Sequence, residues 1–426
     1  MERLVYQQLK EWKESKNRKP LILNGPRQVG KTWLLNEFGN REYAQLAYVN
    51  CRYNALARQI FEQDFDVSRI IRGLRALTKV NISPSDTLIV LDEVQDIPQA
   101  IESLKYFCED APDYHVAVAG SLLGISLHTQ VAFPVGKVNM IDLFPMSYEE
   151  FLLARGEHEL CQMVARRNYN DLSMMHDRLI ELLKEYYFVG GMPEAVATYI
   201  ATEDAQSVRM VQQEILRGYE EDFSKHAPVE QVPRIRMVWQ SVASQLFKEN
   251  KKFVYGTLKK GARAREFEVA IQWLVDSGLL YRVQRCTQPA LPLKVYQDLS
   301  AFKLFVLDVG LLGAMAGVDP VNILVTQDAL TQYKGGMTEQ FVLQQLKSKR
   351  IDPICYHSTD DSRLELDFVI QQQGSVLPIE VKAGVNVRAN SLSRMLSQHP
   401  DMTAVRFSLL PYKVQGQLIC LPLYVA

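Results

Sequence analysis

The feature that most constrains this chain is a glycine-rich turn close to its N-terminus. The apolar segment Leu21–Leu23 leads into the sequence Gly-Pro-Arg-Gln-Val-Gly-Lys-Thr, and a helical stretch follows at once. GxxxxGK[ST] between a strand and a helix is the pattern of a phosphate-binding loop, because its backbone N–H groups and the helix dipole favour phosphate. We therefore predict binding of ATP with Mg²⁺. The residues expected to bind ATP are Gly25, Pro26, Arg27, Gln28, Val29, Gly30, Lys31, Thr32 and Trp33.

A second motif completes the expected triphosphate site. The apolar segment Leu88–Leu91 ends in Asp92 and Glu93, about 60 residues after the loop. Lys31 is expected to reach the β- and γ-phosphates, and the Thr32 hydroxyl to coordinate Mg²⁺. Asp92 would hold Mg²⁺ through water, and Glu93 would orient the attacking water. Two acidic residues at the exposed end of a buried strand are the alternative interpretation.

Ser121 follows the apolar segment His115–Ala119 and a glycine. A polar side chain at that strand end could sense the γ-phosphate, and we include it among the expected ATP-binding residues. A small polar turn residue explains Ser121 equally well.

The order of the elements predicts an α/β protein. In the first 125 residues, short apolar strands alternate with helical stretches, which indicates a parallel sheet covered on both faces. Helical spacing without strand signals follows, and then the periodic helix Ala264–Ser277 with a glycine stop and a short strand, the outline of a winged helix-turn-helix. The predicted domains are a nucleotide-binding core (1–143), a helical subdomain (144–227), a winged-helix region (228–331) and a C-terminal α/β domain (332–426).

Charge and cysteine content restrict the partners. The formal net charge of −1 gives no general attraction to polyanions, so any DNA contact must come from a local patch. The stretch 251–265 carries six positive charges and no acid. It would suit DNA phosphates, although a solvated loop or a protein-binding module explains it too. Six scattered cysteines without a CxxC pair, no signal peptide and no apolar span indicate a cytoplasmic protein without a membrane partner.

A carboxylate and lysine pattern lies near the C-terminus. Asp367 stands on one strand candidate, and Glu380 and Lys382 share a face of the next one. If these strands pair as a hairpin, the three side chains converge, and Glu339 on the preceding helix could add a carboxylate. Glu339, Asp367 and Glu380 could then bind a divalent metal, with Lys382 assisting a water that attacks a phosphodiester. The alternative is an amphipathic hairpin with a solvated charged face.

These motifs in their order resemble the bacterial and archaeal AAA-type ATP-binding proteins that carry a C-terminal domain of unknown function. Further matching segments are 143–151 (Leu-Phe-Pro-Met-Ser-Tyr-Glu-Glu-Phe), 190–194 (Gly-Gly-Met-Pro-Glu), 219–223 (Tyr-Glu-Glu-Asp-Phe) and 303–311 (Lys-Leu-Phe-Val-Leu-Asp-Val-Gly-Leu). The resemblance implies an AAA+ core, a helical extension, a winged helix and a C-terminal domain similar to the PD-(D/E)xK nuclease fold. It places the nuclease-like signature on Glu339, Asp367, Glu380 and Lys382. Many members have Gly-Arg where this chain has Gly136-Lys137.

Two functional hypotheses follow. In the first, an ATPase acts on nucleic acid, with Glu93 catalytic in hydrolysis and Asp367, Glu380 and Lys382 catalytic in a metal-dependent nuclease site. In the second, the protein is a nucleotide-gated switch with an inert nuclease-like domain. A homo-oligomer is expected in either case, because AAA-type proteins often complete hydrolysis with a residue from a neighbouring subunit. The sequence assigns no such residue.

Overall fold

The computed structural model describes residues 1–120, 133–249, 251–320, 331–359, 364–384 and 390–426 of the protein. Ser121 therefore lies outside the described residues. The chain divides into two compact units. The N-terminal unit comprises Glu2–Phe144 with Asp276–Gly278, and the C-terminal unit comprises Met1, Pro145–Val275 and Leu279–Ala426.

The N-terminal unit is built on a five-stranded parallel sheet with the strand order β2-β3-β4-β1-β5. Every residue of β3 and β4 is buried, as expected for central strands covered on both faces. The α/β class with a parallel-sheet core, helical elements and a C-terminal sheet is thus confirmed. The strands are β1 (Leu21–Asn24), β2 (Gln45–Asn50), β3 (Thr87–Asp92), β4 (His115–Ala119) and β5 (Asn139–Asp142). The helices are α1 (Tyr6–Glu14), α2 (Lys31–Glu42), α3 (Ala55–Gln63), α4 (Val67–Thr78) and α5 (Pro98–Asp110).

Helices dominate the first part of the C-terminal unit. Helix α6 starts with a capping box, in which the Glu150 N–H donates to the Ser147 hydroxyl oxygen and the Ser147 N–H donates to Glu150 Oε2. In the described part of the chain, no helix is long and apolar enough to cross a membrane. The helices are α6 (Tyr148–Ala154), α7 (His158–Arg166), α8 (Tyr169–Met174), α9 (His176–Val189), α10 (Pro193–Thr202), α11 (Ala205–His226) and α12 (Val232–Leu246).

An eight-stranded mixed sheet follows, with the order β12-β13-β11-β10-β9-β8-β6-β7. Its strands come from both sides of residue 331, and the four predicted domain boundaries stay a prediction. The strands are β6 (Leu280–Cys286), β7 (Gln297–Val306), β8 (Ile354–Ser358), β9 (Glu365–Gln372), β10 (Ser375–Val381), β11 (Ala404–Ser408), β12 (Lys413–Gln415) and β13 (Leu418–Pro422). The accompanying helices are α13 (Ala264–Asp276), α14 (Val309–Met315), α15 (Thr331–Ser348) and α16 (Asn390–Gln398). Short 3₁₀ helices occur at Val94–Asp96, Tyr255–Thr257, Leu293–Tyr296 and Leu423–Val425.

Three of the matching sequence segments meet at a single packing site in the C-terminal unit. A Cβ atom on Gly190 would lie 2.2 Å from Asp308 Oδ1, and one on Gly191 would lie 2.1 Å from the Met146 carbonyl oxygen. The Gly191 N–H donates to Asp308 Oδ2 at 2.6 Å. Only glycine allows these close approaches, so the buried carboxylate requires Gly190 and the Met146 carbonyl requires Gly191.

The N-terminal unit contains a buried histidine whose titration we expect to limit its acid stability. His115 on β4 is 4% exposed, and its Nδ1 forms a hydrogen bond with the Tyr43 hydroxyl at 2.7 Å. Burial, reinforced by Arg18 and Lys13, lowers the pKa of His115 to about 4 from an ordinary 6.5. The unfolded chain therefore binds this proton more readily, and the stabilisation by neutral His115 is lost as the pH falls from 6.5 towards 4.

We predict that wild-type protein loses about 1–2 kcal/mol more unfolding free energy between pH 7 and pH 5 than the His115→Gln variant does. Denaturant unfolding of both proteins at several pH values measures the difference. Parallel stability curves for the two proteins would show that His115 does not titrate as described.

Candidate functional site

The loop between β1 and α2 has the backbone shape of a phosphate cradle. Gly25, Gln28 and Gly30 have positive φ angles of 152°, 66° and 92°. A Cβ atom on Gly25 would lie 2.3 Å from the Leu143 carbonyl oxygen, so no other residue fits there. Gly30 is the left-handed N-cap of α2 and supplies no capping side chain. The N-terminal N–H groups of this 12-residue helix therefore depend on another acceptor, as in anion-binding helices.

Lys31 lies against the loop that precedes it. Its ammonium group donates to the carbonyl oxygens of Gly25 at 2.7 Å and Pro26 at 2.6 Å, and the residue is 7% exposed. Burial lowers the pKa of Lys31 to about 8, although Glu93 and Asp92 raise it. Lys31 therefore remains mostly charged at pH 7, and a bound anion would favour the charged form further.

Asp92 joins the loop to the end of β3. Its Oδ2 accepts hydrogen bonds from the Thr32 hydroxyl at 2.7 Å and from the Tyr48 hydroxyl at 2.9 Å, and its Oδ1 accepts from the Glu93 N–H at 3.0 Å. The structure thus brings the two predicted motifs together. Tyr48 is a site residue that the sequence did not reveal, because only the pairing of β2 with β3 places it beside Asp92. Burial and then Asp92 raise the pKa of Tyr48, so it stays a donor.

Glu93 is held in an unusual conformation. Its φ angle is 50°, a left-handed value that costs a non-glycine residue about 1–2 kcal/mol. The Gln95 side-chain amide donates to Glu93 Oε2 at 2.5 Å. Such strain is more frequent at functional sites, and Glu93 is the carboxylate that the sequence assigns to water activation.

Arg3, in the segment before α1, contacts the β1–α2 loop. Its guanidinium group is buried and donates to the carbonyl oxygens of Val29 at 2.8 Å and Phe144 at 2.6 Å. An arginine near a chain terminus gives no signal of this role. Lys137, where many similar proteins have arginine, pairs with Glu109 at 2.8 Å on the surface. This contact gives no support for a phosphate role of Lys137.

The predicted C-terminal residues also lie close together. Strands β9 and β10 pair as an antiparallel hairpin, and the Val381 N–H donates to Asp367 Oδ2 at 2.7 Å. Glu380 therefore lies beside Asp367. Glu339 on α15 is within hydrogen-bonding reach of Asp367, and Lys382 forms an ion pair with Glu380.

Three further charged residues, Lys251, Lys303 and Glu365, lie at this site. We define the carboxylate cluster as Glu339, Glu365, Asp367 and Glu380. Lys303 on β7 is 1% exposed, and its Nζ lies 2.9 Å from Glu365 Oε1 and 3.9 Å from Glu339 Oε2. Lys251 forms an ion pair with Glu339 Oε1. Lys303, Lys251 and Glu365 were not predicted to belong to this site. The sequence feature that could have indicated Lys303 is its position at the start of the apolar run Leu304–Leu307.

The pKa values in the cluster reflect this crowding. Burial raises the pKa of Asp367 well above its ordinary range, and Glu339 and Glu380 raise it further. Burial opposes ionisation of Glu339 as well, but Lys251 and Lys303 outweigh it and lower the pKa of that carboxyl. Burial lowers the pKa of Lys303, and Glu339, Glu365 and Asp367 more than reverse this effect. Glu339 and Lys303 are therefore an ionised pair in the interior.

A divalent metal does not fit the cluster in this arrangement. Glu339 Oε2 and Glu380 Oε2 are buried and accept no hydrogen bond, which would suit a cation. Lysine ammonium groups nevertheless already contact both carboxylates. Over the described ranges of the chain, no group of three or more His, Cys, Asp or Glu side chains could hold a metal ion. The predicted metal ligands Glu339, Asp367 and Glu380 therefore gain no support from the geometry.

The basic stretch is partly neutralised. Lys251 contacts Glu339, and Lys259 forms an ion pair with Glu266 at 2.6 Å. Lys260, Arg263 and Arg265 are exposed at the start of α13. Lys252 is also exposed, so a contact with nucleic acid would depend on these four residues more than on Lys251 and Lys259.

Comparisons with known families cover most of the chain in three parts. Residues 17–152 match the family described as AAA domain. Residues 180–322 and 334–424 match two families described as domains of unknown function, DUF8612 and DUF4143. No curated protein matches the chain significantly in sequence. The PD-(D/E)xK likeness implied by the resemblance is not confirmed by these matches.

Several solved structures show weak similarity. A Walker-type ATPase of Pyrococcus abyssi is 14% identical, with 73% of this chain and 94% of that chain covered and a TM-score of 0.46. The ORC1 protein of Aeropyrum pernix in complex with DNA is 14% identical, with 75% and 92% covered and a TM-score of 0.29. Drosophila ORC bound to DNA is 13% identical, with 74% and 94% covered and a TM-score of 0.26. These values are too low to support a conclusion about activity.

We predict that Lys31→Ala weakens binding of MgATP about 10- to 100-fold, because a charge-assisted contact to phosphate is lost. Titration calorimetry with the full chain measures this change. Lys105→Ala, which removes an exposed lysine from α5, serves as the control and should bind like wild type. Undiminished affinity of Lys31→Ala would overturn the assignment of the loop.

Proposed function

With an AAA-type ATPase domain in residues 17–152 as the premise, we propose that the protein binds and hydrolyses ATP with Mg²⁺ at the β1–α2 loop. The observation that carries this proposal is the 2.7 Å hydrogen bond between the Thr32 hydroxyl and Asp92 Oδ2, beside the buried Lys31. It joins the two halves of a triphosphate site that are about 60 residues apart in sequence.

Each residue has a defined task in this proposal. The N–H groups at the start of α2 and the Lys31 ammonium bind the phosphates. Thr32 and Asp92 would hold Mg²⁺, an ion that is usually bound by one or two protein oxygens together with substrate phosphates. When bound, Mg²⁺ neutralises charge that develops on the transferred phosphoryl group. Tyr48 fixes the orientation of Asp92 by donating to its Oδ2.

Glu93 is the proposed catalytic residue for water activation. Its carboxylate accepts the hydrogen bond from Gln95, which limits the orientations that it can adopt. A carboxylate in this role orients the water and accepts its proton as the phosphorus–oxygen bond forms. The ATP-binding role of Ser121 remains a prediction, and so does assembly into a homo-oligomer.

We predict that Glu93→Gln retains MgATP binding and lowers kcat for ATP hydrolysis about 10²- to 10⁴-fold, because the general base is lost. Phosphate release measured over a range of protein concentrations gives kcat and also reports any dependence on assembly. Glu62→Gln, the same exchange on the exposed side of α3, should match wild type. Equal turnover by Glu93→Gln and wild type would contradict the role of Glu93.

Of the two hypotheses for what hydrolysis serves, we favour the nucleotide-gated switch. Lysine ammonium groups contact the Glu339 and Glu380 carboxylates, so the arrangement offers a metal-dependent nuclease no free pair of ligands. A nuclease remains the second candidate, because Asp367, Glu380 and Lys382 converge at one end of the hairpin.

We predict that the purified full chain does not cleave supercoiled or linear DNA in Mg²⁺ or Mn²⁺, with or without ATP, beyond the level of Asp367→Ala. Gel electrophoresis of the reaction products is the measurement. Cleavage by wild type that is lost in Asp367→Ala would establish the nuclease instead.

A DNA contact, if the protein uses one, belongs to the exposed start of α13. Lys260, Arg263 and Arg265 could neutralise backbone phosphates, and the resulting affinity would fall with salt. The same DNA preparation therefore also tests binding. Lys260→Glu combined with Arg263→Glu should weaken binding and reduce its salt dependence, whereas the matched surface reversals Arg217→Glu with Lys413→Glu should not. Equal binding by both double variants would exclude this surface.

A further inference from the structure

Lys303 is an unusual residue for the interior of a sheet. It lies on β7 within a run of buried residues, it is 1% exposed, and its ammonium group is 4.8 Å from the centre of the Tyr356 ring. Removing an ammonium group from water is costly unless carboxylates compensate it. Glu365 at 2.9 Å and Glu339 at 3.9 Å provide this compensation.

The contacts of Lys303 connect separate elements of the C-terminal unit. Lys303 belongs to β7, Glu365 to β9 and Glu339 to α15. Lys251, from the segment after α12, adds a second cation on Glu339. The ion pairs therefore hold the buried face of α15 against strands that are not neighbours in the sheet.

The same contacts oppose a divalent metal. An ion bound by Glu339 Oε2 would lie close to the ammonium of Lys303, which is enclosed by the fold, and an ion bound by Oε1 would have to displace Lys251. Repulsion between like charges is strong where water does not screen them. The positive charge that a metal ion would contribute is thus already supplied by Lys303 and Lys251.

We propose that Lys303, assisted by Lys251, is a built-in counter-ion for the carboxylate cluster, and that these ion pairs hold α15 on the sheet without a metal ion. This proposal does not depend on ATP hydrolysis. The nuclease-like set of side chains is then an internal salt-bridge network.

The direct test uses electron paramagnetic resonance to measure Mn²⁺ binding by the full chain in the absence of nucleotide. Wild type and Asp367→Asn should bind the same amount of Mn²⁺, because any ion at the β1–α2 loop is common to both. A site with a Kd below about 1 mM that is present in wild type and absent in Asp367→Asn would overturn the proposal, since carboxylate sites of low affinity lie in that range.

The second test measures whether Lys303 acts through its charge. Lys303→Met should lower the Tm of the full chain by about 5–10 °C, because it leaves buried carboxylates without a partner. Adding Glu339→Gln should recover at least half of this loss, since it removes one of those charges. Lys413→Met on the exposed strand β12 is the control and should leave the Tm unchanged.

Additive losses in the Lys303→Met and Glu339→Gln double variant would contradict this role, because they would mean that Lys303 acts through packing alone. If Lys303→Met does not fold, Lys251→Met replaces it, and the same recovery by Glu339→Gln is then required. The Mn²⁺ measurement is independent of either variant.

Discussion

The arrangement of the C-terminal unit depends on a helix whose buried side chains are polar. Gln340 on α15 bonds both the N–H and the carbonyl oxygen of Val306, at 3.0 Å and 2.6 Å. Gln344 contacts Asp308 and the Val309 N–H, and Gln345 accepts from the Tyr148 N–H. A buried amide that loses its partner costs about 1–3 kcal/mol, so these bonds fix β7, α14 and α6 relative to α15. Glu339 precedes Gln340 in the same helix and is buried as well, so its carboxylate needs a compensating cation such as Lys303.

Buried charge is used in opposite ways in the two units. At the β1–α2 loop, Lys31 donates to the backbone carbonyl oxygens of Gly25 and Pro26, and Asp92 accepts from neutral hydroxyl groups. Both charges can still be compensated by a ligand of opposite charge. In the carboxylate cluster, each of Glu339, Glu365 and Glu380 already has a lysine partner. The first arrangement suits binding of phosphate and Mg²⁺, and the second suits permanent structure.

This contrast connects the proposed ATPase to the choice between nuclease and switch. Convergence of Asp367, Glu380 and Lys382 is a necessary condition for a metal-dependent nuclease, but the charge that surrounds them also decides whether a metal binds. A cluster whose carboxylates already have lysine partners is unfavourable for binding a metal ion. The ATP-dependent chemistry would then lie in the N-terminal unit, and the carboxylate cluster would serve the structure of the C-terminal unit.

The sequence by itself determined the elements whose signals are local. The strand, glycine turn and helix around Lys31, the acidic end of β3 and the hairpin that carries Asp367 and Glu380 are where the sequence predicts them, and the α/β class is confirmed. Tertiary structure alone decided the roles of Tyr48, Arg3 and Lys303. Each acts through a strand register or a contact between residues distant in sequence. The sequence does not distinguish a lysine that is buried with a partner from a lysine that is exposed to solvent. Burial and pairing, which set the cost of a charge, exist only once the chain has folded.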